Sequence, residues 1–112
     1  MAEVFNRTQA ALVTGGTDVY TAPTGSGDTV VVLSIMVANV DGTNAATVTG
    51  KINDSAGATL TGGMFAKTIS VPANASLELI ANKMVLKAGE RINLSASVDG
   101  DLEATVSVLE IT

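Results

Sequence analysis

From Arg91 to Val98 the chain alternates polar and apolar residues without a break. Ile92, Leu94, Ala96 and Val98 stand against Arg91, Asn93, Ser95 and Ser97. Period two puts every apolar side chain on one face of an extended strand, whereas a helix would scatter the same residues around its circumference. The pattern recurs in Ala46, Val48, Gly50 and Ile52 against Thr47, Thr49, Lys51 and Asn53. It recurs again in Ala104, Val106 and Val108 against Glu103, Thr105 and Ser107. These are strands with one dry face and one wet face, so a second layer must cover the dry one.

Turn signals separate the β-like runs at short intervals: Gly15-Gly16, Pro23 to Gly27, Asp41-Gly42, Asp54 to Gly57, Gly62-Gly63, Pro72 to Asn74, Ala81-Asn82, Ala88-Gly89 and Asp99-Gly100. Asp-Gly suits a tight hairpin, because both central positions of that turn need positive φ. The strands this spacing predicts cover residues 4–13, 18–21, 29–40, 45–53, 65–71, 77–80, 83–86, 90–98 and 102–111. Eight or nine short strands with no helical period define an all-β fold, an antiparallel β-sandwich of jelly-roll type. A length of 112 residues fits one domain over residues 1–112. Residues 1–7 form a candidate N-terminal arm for a partner, with an ordinary first strand as the alternative.

One run breaks the alternation. Thr29 to Val40 reads Thr-Val-Val-Val-Leu-Ser-Ile-Met-Val-Ala-Asn-Val and is apolar on both faces. Such a strand is covered twice, either by the domain's own loops or arm, or by another subunit on one side. The candidate interface is therefore Val4, Phe5 and Arg7 in the arm with Val30, Val32 and Met36 in this run.

Composition removes most chemistry. The chain has neither His nor Cys. It thus lacks the commonest general base and metal ligand and the thiol nucleophile, and no Ser-x-x-Lys or G-x-S-x-G motif occurs. No catalytic residue, cofactor or small-molecule substrate is expected. Asp99, Asp101 and Glu103 flank a turn, where acids keep the tip wet. A Ca²⁺ site there, with Asp41 or Asp54, is the lesser alternative, and the spacing is not that of an EF-hand. Pro23 to Asp28 has the glycines of a phosphate loop without its Gly-Lys-Ser/Thr ending, and reads as a connection between strands. Tyr20 is the one Tyr and there is no Trp, which leaves a sugar-binding surface without aromatic platforms. Tyr20, beside Pro23, is expected to pack at a sheet corner with its hydroxyl bonded.

Six bases scattered among eleven acids give a net charge of −5 and no basic patch, so nucleic acid is not the expected partner. The first seven residues have no signal-peptide pattern, and the apolar run from Val30 to Val40 is about half a membrane-spanning helix. No membrane partner is expected, and the sequons at Asn6, Asn74 and Asn93 read as chance.

Several short stretches together resemble a known family. These are Tyr20-Thr-Ala-Pro23, Val31 to Ile35, Ala38-Asn-Val-Asp-Gly-Thr-Asn44, Ser70-Val-Pro-Ala-Asn74, Ala88-Gly-Glu-Arg-Ile92 and Glu103 to Glu110. They look like small all-β virion proteins of tailed bacteriophages, and the resemblance covers most of the chain. Its motifs are structural, not catalytic. It implies a capsid decoration (cement) protein on the outer surface of the virion, made in the host cytoplasm. Such a protein binds the major capsid protein and bridges shell subunits, as a homo-oligomer with a trimer favoured. A neck, tail or fibre component that touches the host is the alternative the resemblance leaves open, and a calcium- or sugar-binding module is a third reading.

Overall fold

A computed structural model describes residues 2–112. The alternating runs become nine strands: β1 Glu3–Ala11, β2 Thr17–Thr21, β3 Thr29–Asn39, β4 Ala46–Asn53, β5 Thr59–Val71, β6 Ser76–Glu78, β7 Met84–Lys87, β8 Arg91–Ala96 and β9 Leu102–Ile111. They form two antiparallel sheets. One has the order β1-β9-β3, with β6 and β7 both on the far side of β3, and the other has the order β2-β8-β4-β5. The chain crosses between layers after β1, β2, β3, β5, β7 and β8. If β6 and β7 count as one interrupted strand, eight positions in two four-stranded sheets give the double Greek key of a jelly roll. The expected β-sandwich is therefore the observed fold.

The interruption is patched chemically. β7 pairs with Thr29–Val32 and β6 with Met36–Ala38, leaving Ile35 facing the gap. Its N–H donates to Glu78 Oε2 at 2.7 Å, and its carbonyl accepts from Leu79 N at 2.8 Å. Both backbone groups of Ile35 are thereby paired, as buried backbone groups need to be.

The core lies between the sheets and is aliphatic. Val32, Ile35, Val37, Val48, Leu86, Ile92, Leu94, Leu102, Val106 and Val108 are fully buried. Outside β3 most of these are inward members of alternating pairs, so there the sequence pattern and the core are the same fact seen twice. Tyr20 is also buried. Among the described residues two polar side chains are buried, Asn39 and Asn53. Asn53 Oδ1 accepts from Thr59 Oγ1 at 3.0 Å. Asn39 Nδ2 donates to Val71 O at 2.9 Å and to Asn44 O at 3.0 Å, while its Oδ1 accepts from Asp41 N at 2.9 Å. Asn39 thereby stitches the end of β3 to the following loop and to the end of β5.

Two local departures from the expected strands have plain causes. Gly62-Gly63 signals a turn in sequence, yet it lies inside β5. The pairing with β4 skips from Met64 opposite Lys51 to Thr59 opposite Asn53, so the intervening residues bulge out. Gly62 takes a φ of 81°, which a bulge requires and a side chain resists. The arm is the second departure. From Glu3 onward it is strand β1, paired in unbroken register with β9 from Glu3 opposite Ile111 to Ala11 opposite Glu103. Glu3 to Arg7 therefore belong to a sheet edge and are not a free segment.

Candidate functional site

The bulge at Leu33 decides which residues of β3 lie on the outer face. Before it, Val30 and Val32 point inward and are 1% and 0% exposed. The register with β9 then slips between Val32 and Ser34, so the inward phase passes to Ile35 and Val37. A slip of one residue turns every following side chain to the other face. Val30 and Val32 are thus core residues rather than interface residues, and this corrects the sequence expectation for both. Met36 is on the outer face, 41% exposed, together with Val31 and Leu33, which plain alternation had not singled out.

Around Val31 the outer face carries a row of apolar residues across four strands. Phe5 of β1 lies opposite Leu109 of β9, Leu109 opposite Val31 of β3, and Val31 opposite Val85 of β7. Phe5 is 75% exposed and Val85 59%. Phe5, Arg7, Leu33 and Ser107 line a shallow groove beside this row. Val4 is on the opposite side of β1 and is also exposed. Arg7 is exposed on the same side as Phe5 and forms no salt bridge among the described residues.

The outer face of the second sheet is different. Arg91 pairs with Asp18 at 3.4 Å, Asn93 donates to the same carboxylate at 2.8 Å, and Thr47, Thr49, Lys51 and Ser95 continue the polar surface. One sheet thus turns a wet face outward. The other turns out an apolar row that no other described residue covers, with Phe5 75% and Val85 59% exposed. An exposed apolar patch rimmed by polar residues is the usual mark of a protein contact site.

The acidic groups serve their own loops. Asp99 Oδ1 accepts from Thr14 N at 2.7 Å. Asp41 Oδ1 accepts from Thr43 N at 2.8 Å and Asn44 N at 3.3 Å, and these two donors hold the Asp41 carboxyl below its usual range. Asp101 stands beside it, and partial desolvation plus the Asp41 charge push the Asp101 carboxyl up. Among the described residues, no three acids gather as metal ligands would. In the glycine-rich loop, Asp28 Oδ2 accepts from Gly25 N at 2.9 Å, so the loop bonds to itself.

No protein-family model and no curated protein sequence matches the chain. Among solved structures, a chain of the disulfide-linked pili that form Bacillus endospore appendages is similar over 99% of this chain and 87% of that one. Its TM-score is 0.59 and its identity 13%. A chain of the acid-stable capsid of Helicobacter pylori bacteriophage KHP30 is similar over 100% and 89%, with a TM-score of 0.57 and 11% identity. VP2 of infectious bursal disease virus matches 98% of this chain with 32% of its own length, with a TM-score of 0.54 and 9% identity. At these identities the likeness is one of fold alone.

Proposed function

We propose that the chain is a structural protein of a virion, a capsid decoration protein that binds the outside of the shell and bridges neighbouring subunits of the major capsid protein. The observation that carries this reading is the uncovered apolar row Phe5–Leu109–Val31–Val85 on a jelly roll whose other outer face is polar. One face meets the shell or a neighbour, and the other meets water. The family resemblance of the sequence and the fold likeness to a phage capsid chain support the same assignment. The protein then works from the capsid surface after synthesis in the host cytoplasm, as a homo-oligomer for which the resemblance favours a trimer. Its function is mechanical: two antiparallel sheets resist distortion while the apolar face holds adjacent subunits together.

A second reading, a neck, tail or fibre component, draws support from the fold likeness to a pilus chain. A fibre of this chain would be held without disulfides, because it has no Cys.

Binding to purified shells tests the first reading. Val85→Glu places charge on the apolar row and Met36→Glu places it elsewhere on the same outer face, both at exposed positions, where substitutions change stability by about 0.5 kcal/mol or less. Loss of shell binding with an unchanged melting temperature is the expected result. Full occupancy by both variants would contradict it.

A further inference from the structure

We infer that β1 is an assembly edge that pairs with β1 of a second copy, antiparallel across a two-fold axis centred on Phe5. The other sheet edges are guarded in the ways natural edges usually are. β5 is broken by three register shifts and holds Thr68 at a φ of 46°. β2 has five residues and a bulge between Asp18 and Tyr20. The edge made by β6 and β7 is interrupted. β1 is different: nine residues in unbroken register with no bulge.

The backbone fixes which residues such an edge presents. Ala2 N donates to Thr112 O at 2.7 Å and Thr112 N to Ala2 O at 2.9 Å, so these two residues exchange both bonds. In an antiparallel ladder such pairs alternate. Val4, Asn6, Thr8 and Ala10 therefore aim their N–H and C=O at β9, and Glu3, Phe5, Arg7 and Gln9 aim theirs outward. The Arg7 N–H is bonded to Asn6 Oδ1 at 2.8 Å, a side-chain cover that a paired strand would replace.

The register follows from charge. Centred on Phe5, the pairing sets Glu3 opposite Arg7 of the second copy, Arg7 opposite its Glu3, and Phe5 opposite Phe5. All three residues have outward backbone groups and all three side chains are on the outer face. Neither Glu3 nor Arg7 has a salt bridge among the described residues. Centring on Arg7 instead would set like charges opposite each other, which is unfavourable across strands. The Phe5-centred register also joins the two apolar rows end to end through the Phe5 pair, making one continuous stripe across both copies. A two-fold contact is isologous. Alone it gives a dimer, and where a threefold contact is also present it ties trimers into a net. The inference stands on the edge itself and does not depend on the decoration reading.

Sedimentation velocity over a micromolar-to-millimolar range tests it, with shell binding measured separately. The expected result is a dimer of the full chain. Glu3→Arg and Arg7→Glu should each weaken it by at least about tenfold, through two like-charge pairs per dimer. The double variant Glu3→Arg/Arg7→Glu should restore it by exchanging the signs. Circular dichroism confirms that each variant remains folded. A wild-type chain that stays monomeric throughout, or an oligomer indifferent to both single charge reversals, would overturn the inference.

Discussion

The Tyr20 hydroxyl donates a 2.6 Å hydrogen bond to Glu110 Oε2, joining β2 of one sheet to β9 of the other through the interior. Asn6 Nδ2 reaches the same oxygen at 3.3 Å, so β1 shares the link. Tyr20→Phe removes the donor and leaves the carboxylate with one protein partner. The expected loss is about 1–2 kcal/mol in urea unfolding, within the range for a bond to a charged acceptor.

The same bond has a pH signature. Burial and then the Glu110 contacts push the Tyr20 hydroxyl above its ordinary value near 10. The folded state therefore holds this proton more tightly than the unfolded state. Its contribution is complete below about pH 10 and falls as pH rises beyond that value. The wild-type urea midpoint should drop in that window, and the drop should be smaller in Tyr20→Phe. Equal slopes in the two proteins would contradict the assignment.

Asn39 is 3% exposed and makes three hydrogen bonds to backbone groups. Asn39→Leu keeps the branching of the side chain and strands the carbonyls of Val71 and Asn44. A cost of about 2–4 kcal/mol is expected, from the buried groups left unpaired. Chemical denaturation at neutral pH measures it.

Asp41 and Asp101 are shifted in opposite directions from the ordinary carboxylate range. Asp41, held low by backbone donors, adds stability that is present above the ordinary carboxylate range and is lost as pH falls through its lowered value. Asp101, raised, binds its proton more tightly when folded, so ionising it costs stability as pH rises. Asp101→Asn imitates the protonated form and can donate to Asp41. Its melting temperature should exceed that of the wild type at pH 7, and the difference should disappear at pH 3.

Gly50 lies beneath Phe65. A Cβ there would sit 2.7 Å from Phe65 Cε1 and Cζ and 3.0 Å from Leu94 Cδ2. Gly50→Ala should destabilise by about 1–3 kcal/mol, as overpacking does. Adding Phe65→Leu should recover part of that loss, a coupling that a double-mutant cycle reads directly.

The strands were legible in the sequence because alternation and the core are one property. Leu94 and Val106 announce their burial by standing between polar neighbours. The candidate site was harder to read, because its face depends on the bulge at Leu33. Val-Val-Val-Leu is apolar at every position, so no alternation marks where the phase changes. Val30 and Val32 therefore look as available as Val31. The apolar row was invisible for another reason: Phe5, Leu109, Val31 and Val85 come from four separate strands, and only the sheet order brings them together. Phe5, Arg7 and Met36, also named from the sequence, are exposed on the outer face of the first sheet.

The central claim is that this jelly roll decorates a shell. Quantitative mass spectrometry of purified virions, reading this chain against the major capsid protein, tests it most directly. The account predicts a copy number of the same order as the shell protein's own. A copy number that is a small fraction of the shell protein's, fitting a neck, tail or fibre position, would contradict it.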